Sequence, residues 1–190
     1  KINLDKKEKI ITFVGKLNSA KGYDLFGKAS MMILREFPDW KVEVVGDESR
    51  EKIFFKHSRF NLNGFRTHKF VQNLYRKTSI AVICSRWEEP FGRTSIEASS
   101  NGCASIITNR GGLPESVTDA LILRILDTKS LYKTIKKIII NKSLRKRLQR
   151  DSIKNFYLTD SFISKKIDNI RHEIKDTKNT KKKEKIKILH

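Results

Sequence analysis

The sequence predicts a doubly wound α/β domain with a parallel sheet of about six strands, followed by additional helices at its C-terminal end. Three observations lead to this prediction. Short apolar runs rich in β-branched residues recur up to Ile125, helical apolar spacing separates most of them, and the rhythm after Asp127 is purely helical. The length of 190 residues also fits one domain with a core of its own.

The first strand–helix–strand unit lies near the N-terminus. The runs 9–15 and 41–46 each end at a glycine. The apolar residues between them recur at helical spacing: Leu25, Ala29, Met32, Ile33 and Phe37. This separation suits a right-handed crossover between two parallel strands.

The alternation continues beyond the first unit. Further strands are predicted at 61–65, 79–85, 103–108 and 120–125, with helices around 70–75 and over 93–101 between them. The C-terminal helices are predicted at 131–139, at 144–148 after a Ser143 cap, and at 163–174 after Asp160 or Ser161. The sequence therefore predicts one α/β domain with a helical end.

The chain is strongly basic, with a formal net charge of +20. Such a field attracts polyanions, anionic lipid surfaces and phosphorylated ligands without distinguishing among them. Part of the charge lies in residues 175–190, which contain few apolar residues, so we predict a disordered basic tail there and a folded domain over 1–174. No apolar run approaches the roughly 20 residues that a membrane span needs.

The cysteines and the first residue bear on the cellular context. Cys84 and Cys103 both lie in apolar stretches, which favours reduced, buried thiols in a cytoplasmic protein over a disulfide framework. The chain begins at Lys1, with neither an initiator methionine nor a signal peptide. We therefore expect a piece of a longer protein.

Three segments follow predicted strands, and the carboxyl ends of parallel strands meet at the edge where open α/β sheets bind ligands. The first segment is 15–22. Gly15 allows close backbone approach, and Lys16 and Lys21 are expected to converge on a diphosphate. Two lysines in a loop are, however, also what a solvated surface contains.

The second segment is "EEPFGRTSIE", which places two acids in a basic chain. Gly92 interrupts the regular secondary structure, and a helix begins after it. The amides that begin this helix are expected to face the crevice, since helix N-termini bind phosphate. Glu89 and Glu97 lie on either side of those amides, and a carboxylate can accept hydrogen bonds from neighbouring hydroxyl groups. One acid would take a sugar and the other a ribose. Alternatively, Glu97 only complements the helix dipole.

The third segment, 109–115, follows the fifth predicted strand. Its paired glycines, Gly111 and Gly112, are expected to expose backbone amides where a sugar hydroxyl or phosphate oxygen arrives. An ordinary turn has the same composition. The segment is a candidate for ligand binding because it lies at the same edge of the sheet as the other two.

Over residues 9–149 the chain resembles the C-terminal, donor-binding domain of retaining GT-B glycosyltransferases of family 4, called glycosyl transferases group 1. The matching stretches are "FVGKLNSAKGYDLFGKA", "VEVVGD", "NGF" and "NLYRKTSIAVICSRWEEPFGRTSIEASSNGCASIITNRGGLPESV". Glu89 and Glu97 have the family's E-x7-E spacing. The resemblance implies a Rossmann-like domain that is one half of a GT-B fold and binds a nucleotide sugar.

The resemblance also implies roles for single residues. Lys16 and Lys21 look like the basic pair that grips the nucleotide diphosphate, Glu97 like the ribose-binding acid, and Glu89 like the catalytic acid that contacts the transferred sugar. The remaining donor-binding residues would be Gly15, Phe91, Gly92, Arg93 and Thr94. The substrate would be a UDP-, GDP- or ADP-sugar, without a cofactor or metal, in agreement with the absence of metal-ligand spacing in the sequence.

The sequence also departs from the family pattern. The family's acceptor domain, with its glycine-rich loop and active-site histidine, has no counterpart in these 190 residues, so we expect a separate N-terminal acceptor domain as a partner. Lys16 stands where relatives more often carry arginine, and the usual "DGxTG" loop after Glu115 is missing. The histidines lie outside the matched motifs and are predicted to be surface residues: His57, His68, His172 and His190.

Charge and resemblance together suggest an enzyme that acts at the cytoplasmic membrane surface on a lipid-linked acceptor, such as a lipopolysaccharide precursor. The basic faces and tail would contact anionic lipid. A nucleic-acid-binding module is an alternative, because the isoelectric point is about 10.1. The basic residues are spread along the chain without a recognition motif, so no specific nucleic acid is expected. A sugar-nucleotide epimerase, a phosphorylase, or a domain that binds nothing would also be compatible with this sequence.

Overall fold

The computed structural model describes residues 2–188, and of residues 176 and 178–188 it describes the backbone only. The chain divides into two compact units, Lys1–Phe156 and Tyr157–His190. The first unit contains a sheet of six parallel strands in the order β3-β2-β1-β4-β5-β6. This arrangement confirms the predicted doubly wound α/β fold class.

The elements follow the predicted order. The strands are β1 Glu8–Val14, β2 Lys41–Val45, β3 Phe60–Leu62, β4 Thr78–Ile83, β5 Ala104–Thr108 and β6 Ala120–Leu123. The helices are α1 Tyr23–Glu36, α2 His68–Lys77, α3 Arg93–Ser100, α4 Leu113–Ser116, α5 Thr128–Ile140, α6 Lys142–Lys154 and α7 Asp160–Ile188. A short 3-10 helix, Leu4–Lys6, precedes β1.

The core consists of two apolar layers, one on each face of the sheet. In β4, Ile80 and Val82 belong to the layer that contains residues of α1 and α5, whereas Ala81 and Ile83 belong to the layer under α2 and α3. This alternation follows from the period of two in a strand. Every residue of β4 and of β5 is buried, as expected for central strands covered by helices on both faces.

Helix α6 lies across the amino ends of the strands. Near its start, the Arg145 guanidinium stacks over the ring of Trp40, which precedes β2, with 5.3 Å from its carbon to the ring centroid. Further along, the Gln149 side-chain amide donates to the Ser79 carbonyl at the start of β4, at 3.1 Å. The helix thus closes the edge opposite the one where ligands are predicted to bind.

The structure corrects two predictions about the C-terminal helices. The cap of α6 is Asn141 and not Ser143, since the Asn141 side chain accepts a hydrogen bond from the Leu144 amide at 2.8 Å. Helix α7 continues to Ile188, through most of the segment predicted as a disordered tail, and residues 189–190 lie outside the described residues. Lysine and glutamate favour helical backbone even where few apolar residues are available to pack.

The cysteines confirm the expectation of reduced thiols. Cys84 and Cys103 are both free and fully buried. Burial raises the pKa of Cys84 to about 12 and that of Cys103 to about 11, so both remain protonated thiols. Between residues 2 and 188, no helix combines the length and apolar composition needed to cross a bilayer.

Candidate functional site

A cavity of about 530 Å³ opens at the carboxyl edge of the sheet, beside the ends of β1 and β4. The strand order reverses direction between these two strands, which is where doubly wound sheets bind their ligands. Part of its wall is apolar, formed by Phe13, Val14, Val71, Val82 and Ile83. Eight predicted site residues line it: Gly15, Lys21, Glu89, Phe91, Gly92, Arg93, Thr94 and Glu97.

The loop from Gly15 to Gly22 is held by Asn18, whose side chain is 8% exposed. The Asn18 side-chain oxygen accepts a hydrogen bond from the Lys21 amide at 3.0 Å, and its side-chain nitrogen donates to Glu48 at 3.0 Å. The loop therefore has a defined conformation that carries Lys21 to the cavity. The contact with Glu48 links the loop to the segment that follows β2.

Gly22 ends this loop in the left-handed region, at φ +76°. A Cβ atom at Gly22 would lie 2.1 Å from the Cys84 carbonyl oxygen, so only glycine fits against the end of β4. Helix α1 begins at the next residue. This close approach brings the first loop beside the segment that carries Glu89.

Lys21 and Glu89 form an ion pair inside the cavity, with 2.5 Å between the ammonium nitrogen and Oε1. Their side chains are 30% and 14% exposed. A charge-assisted hydrogen bond of this kind is stronger than a neutral one. The ammonium and the carboxylate are also the two groups that a phosphate and a sugar hydroxyl would seek as partners.

Helix α3 begins at the cavity wall. Gly92 is its N-cap at φ +72°, and the amides of Gly92, Arg93 and Thr94 have no hydrogen-bond partner in the part of the chain that the structure describes. The next amide of the helix, that of Ser95, donates to the Gly92 carbonyl at 3.0 Å and is not available to a ligand. The free amides and the helix dipole together favour an anion at this point.

The segment after β5 supports the Glu89 loop instead of presenting its amides to a ligand, which corrects the prediction. The Gly111 amide donates to the Glu88 carboxylate at 2.5 Å, and the Gly112 amide donates to the Glu89 carbonyl at 2.7 Å. A Cβ atom at Gly111 would lie 2.3 Å from the Glu89 carbonyl oxygen. The paired glycines are therefore needed because two backbone segments pack closely.

Glu97 lies one turn into α3, with its side chain 18% exposed. Its Oε1 atom is 3.8 Å from Arg93 Nη2 on the same helix and 3.5 Å from His68 Nε2 at the start of α2. The carboxylate faces the cavity on the α2 side, whereas Glu89 faces the Lys21 side. The two acids and the α3 amides thus share one cavity, as the E-x7-E spacing predicts.

Lys16 is not brought to this cavity, which corrects the prediction that both lysines converge. Its side chain is exposed, and it is absent from the residues that line the cavity. Lys16 directly follows Gly15, where the chain leaves β1, whereas Asn18 fixes the backbone that carries Lys21. One of the two predicted ammonium groups is thus in position.

The sequence analysis did not predict two further residues in the wall, Arg66 and His68. His68 is exposed, as predicted, and it nevertheless contacts Glu97. Both residues could have been predicted, because they follow β3, and the carboxyl ends of the strands are where open α/β sheets bind ligands. Phe65, the last residue of the matching stretch "NGF", is 78% exposed and does not line the cavity.

A metal site was not predicted. Among residues 2–188, apart from the side chains left undescribed, no three His, Cys, Asp or Glu residues come together as metal ligands would. Metal independence of any reaction stays a prediction.

Comparison with known proteins identifies the family of this chain. A family profile described as "Glycosyl transferases group 1" matches residues 1–155. The lipopolysaccharide core biosynthesis mannosyltransferase LpsB of Rhizobium meliloti is 28% identical over 127 residues, covering 62% of this chain and 36% of LpsB. The chain spans between 35% and 47% of the lengths of three further curated relatives.

Solved structures show the same fold. The C-terminal domain of a glycosyl transferase group 1 family protein (LpcC) from Francisella tularensis superposes with a TM-score of 0.68 at 22% identity, covering 76% of this chain and 82% of that domain. Anabaena Alr3699/HepE, solved in complex with UDP and glucose, has a TM-score of 0.69 at 17% identity, covering 91% of this chain and 48% of that one.

Proposed function

Because this chain belongs to the glycosyl transferases group 1 family, we propose that its cavity binds the nucleotide-sugar donor of a retaining, family 4 enzyme, of which it is the C-terminal domain. One observation carries the proposal: Lys21, Glu89, Glu97 and the free amides at the start of α3 all meet at one cavity. These groups match the parts of a nucleoside diphosphate sugar.

Each group has a partner in the ligand under this proposal. The α3 amides and the Lys21 ammonium bind the diphosphate, since both favour negative charge. Glu97, one turn further along α3, accepts hydrogen bonds from the ribose hydroxyl groups. Glu89, next to Lys21, accepts hydrogen bonds from the transferred sugar. The ligand then spans the wall from the α2 side to the loop after β1.

The reaction breaks the bond between the anomeric carbon and the β-phosphate oxygen. An acceptor hydroxyl forms the new bond on the same face of the sugar, and its proton passes to the departing phosphate oxygen. Negative charge builds on the departing β-phosphate, and Lys21 with the α3 amides stabilises it without a metal. Glu89 favours the developing positive charge on the sugar ring through its carboxylate. No covalent role is assigned to Glu89.

UDP is the first nucleotide to test, because Alr3699/HepE shares this fold and was solved with UDP and glucose bound. GDP- and ADP-sugars are the remaining candidates. The acceptor side would come from a separate N-terminal domain, in line with relatives that are more than twice as long as the matched region. Binding of the donor is therefore proposed for this chain, and transfer for the longer enzyme.

A lipid-linked acceptor, such as a lipopolysaccharide precursor at the cytoplasmic face of the membrane, is the acceptor class we propose. The name of the relative LpsB and the basic charge support it. The exposed cations of α6 add a concrete surface, Arg147, Arg150 and Lys154, which recur at helical spacing along the helix that covers the edge opposite the cavity.

A thermal-shift panel tests the proposal. UDP, GDP, ADP and their sugars are added to the wild-type chain and to the variants Lys21→Ala and Glu97→Ala. The proposal predicts stabilisation of the wild-type chain by one nucleotide class and its loss in both variants. Absence of any shift with all three classes would contradict it. A salt titration separates a polyanion-binding module, whose affinity falls steeply with ionic strength.

A further inference from the structure

The His68 ring lies between two side chains that require opposite protonation states of its Nε2 atom. Its Nε2 atom is 3.1 Å from the Gln72 side-chain nitrogen and 3.5 Å from Glu97 Oε1. A carboxylate oxygen only accepts a hydrogen bond, so it requires a proton on Nε2. An amide nitrogen only donates, so it requires a lone pair there.

The orientation of the Gln72 amide is fixed by a third side chain. Asn101 donates from its side-chain nitrogen to the Gln72 side-chain oxygen at 2.6 Å and to the Glu97 carbonyl at 2.8 Å. Asn101 is 4% exposed. Because its nitrogen points at the Gln72 oxygen, the Gln72 nitrogen must face His68. In this orientation the amide can donate only to an Nε2 atom that carries no proton.

Protonation of the ring reverses this preference. A protonated His68 carries a hydrogen on Nε2, so it opposes the Gln72 amide and instead donates to Glu97 Oε1. Glu97 is the residue proposed to accept the ribose hydroxyl groups, and a charged donor 3.5 Å away would occupy one of its oxygens. Imidazole side chains change charge between about pH 5 and pH 8, where nucleotide binding is readily measured.

We propose that His68 is a positioning residue for Glu97: the neutral ring donates no hydrogen bond to the ribose-binding carboxylate, and the protonated ring does. The inference rests on the proposed donor site and deepens it: donor affinity becomes dependent on a single proton. The residues that carry it are His68, Gln72, Glu97 and Asn101, and it does not depend on the identity of the base or the sugar.

Four other ionisable side chains lie around this point. Arg93 Nη2 approaches Glu97 from the same helix at 3.8 Å, Arg66 lines the cavity beside His68, and Lys69 is the exposed neighbour of His68 on α2. Burial raises the pKa of Tyr75 well above its usual range, with Glu97 as a minor cause. Guanidinium, ammonium and phenol groups ordinarily change charge well above neutral pH.

A protonated ring would also add positive charge to a cavity that already holds Lys21, Arg66 and Arg93. The added attraction for the diphosphate acts across solvent and is screened, whereas the contact with Glu97 is direct. The inference therefore predicts that protonation of His68 weakens donor binding.

Calorimetric titration across pH tests the inference. The probe is whichever of UDP-glucose, GDP-mannose and ADP-glucose binds the wild-type chain most tightly at pH 7.5. Sugar nucleotides are chosen because their diphosphate is esterified at both ends and keeps its charge between pH 5.5 and pH 8. We expect wild-type affinity to fall about threefold to fivefold from pH 7.5 to pH 5.5, the size of a partly exposed ion pair.

Three variants check the cause. His68→Gln removes the titrating ring and Glu97→Gln removes the carboxylate that it engages, so each should give a flat profile. Gln72→Leu removes the donor that favours the neutral ring, so the loss of affinity should begin at higher pH. A merely structural role of Gln72 would not move the transition. His172→Gln, on α7, is the matched control and should keep the wild-type profile.

The outcomes separate this inference from the proposed function. If no sugar nucleotide binds at pH 7.5, the donor site itself is refuted. If one binds and depends on Glu97 but the wild-type profile is flat, or affinity rises at low pH, the role of His68 is refuted alone. An unchanged transition in a folded Gln72→Leu variant would also overturn it, with folding checked by circular dichroism.

Discussion

The Lys21 ammonium lies 2.5 Å from the Glu89 carboxylate, in a cavity that both residues line. Lys21 comes from the loop after β1 and Glu89 from the loop after β4, so the ion pair joins the two strands between which the sheet order reverses. A bound donor would replace this single contact with two, a phosphate on Lys21 and a sugar hydroxyl on Glu89.

Lys21→Met is expected to weaken binding of the preferred nucleoside diphosphate by about tenfold or more, because it removes a charge-assisted hydrogen bond to phosphate. Methionine keeps most of the apolar stem. The matched control is Lys28→Met, which removes an exposed cation of α1 away from the cavity wall. Calorimetry compares the three proteins, and equal affinities of Lys21→Met and wild type would refute the role of Lys21.

Gly22→Ala is expected to destabilise the domain far more than Gly64→Ala. Both glycines have positive φ, +76° and +65°, so an alanine costs about 1–2 kcal/mol in backbone strain at either position. At Gly22 the new Cβ would also lie 2.1 Å from the Cys84 carbonyl oxygen, whereas at Gly64 nothing lies within 4 Å. Urea denaturation should show a difference of about 2 kcal/mol or more, and similar losses would contradict the close approach.

The Asp24–Arg86 pair should make stability depend on acid pH. The Arg86 guanidinium donates two hydrogen bonds to the Asp24 carboxylate, at 2.7 and 2.9 Å. Burial by itself raises the pKa of Asp24, but the hydrogen bonds and charge of Arg86 outweigh this effect and leave that pKa below its usual value. The contribution is therefore fully present above about pH 4 and is lost as pH falls through the folded-state value.

Asp24→Asn is thus expected to lower the free energy of unfolding at pH 7 by about 1–3 kcal/mol. The gap to wild type should narrow as the pH is lowered toward 3. Denaturant titrations at several pH values measure it, with Asp47→Asn as a control in which the replaced carboxylate is exposed. A gap that stays constant or widens in acid would show that the pair does not act as described.

The outer face of α6 provides a test of membrane association. Replacing Arg147, Arg150 and Lys154 by glutamine should weaken binding to vesicles of phosphatidylcholine and phosphatidylserine on the order of tenfold or more, since basic residues at an anionic surface contribute jointly. The charge-matched control replaces Lys28, Lys52 and Lys56, which are exposed elsewhere. Cosedimentation measures the binding. The proposed membrane surface would be refuted if both triple variants lost binding equally, or if the wild-type chain bound RNA but not vesicles.

The fold could be predicted because apolar runs that end at glycines alternate with helical spacing, and burial on both faces leaves this signature in β4 and β5. The position of α6 could not. Its placement across the amino ends of the strands depends on contacts such as Gln149 with Ser79, which are distant in sequence and carry no local pattern. The extent of α7 could not be predicted either, because a shortage of apolar residues does not exclude helical backbone.

The candidate site could be predicted in part. The spacing of Glu89 and Glu97 across a strand-to-helix break predicts that both acids lie at one crevice, and both line the cavity in the structure. Spacing does not determine which loop side chains turn inward, which is why Lys16 was included and His68 was left out. Nor does it distinguish the close backbone packing of Gly111 from an open anion site, since both require glycine.

The most direct test of the central claim compares a nucleotide with its diphosphate fragment. The nucleoside diphosphate selected by the thermal-shift panel and inorganic pyrophosphate are titrated calorimetrically into the wild-type chain, Glu97→Gln and the exposed α7 control Glu173→Gln. We predict that Glu97→Gln weakens nucleotide binding about tenfold without weakening pyrophosphate binding, because only the nucleotide has a ribose to contact the carboxylate. Equal nucleotide affinity in wild type and Glu97→Gln, or an equal loss for both ligands, would contradict the assignment of this cavity as a nucleotide-sugar site.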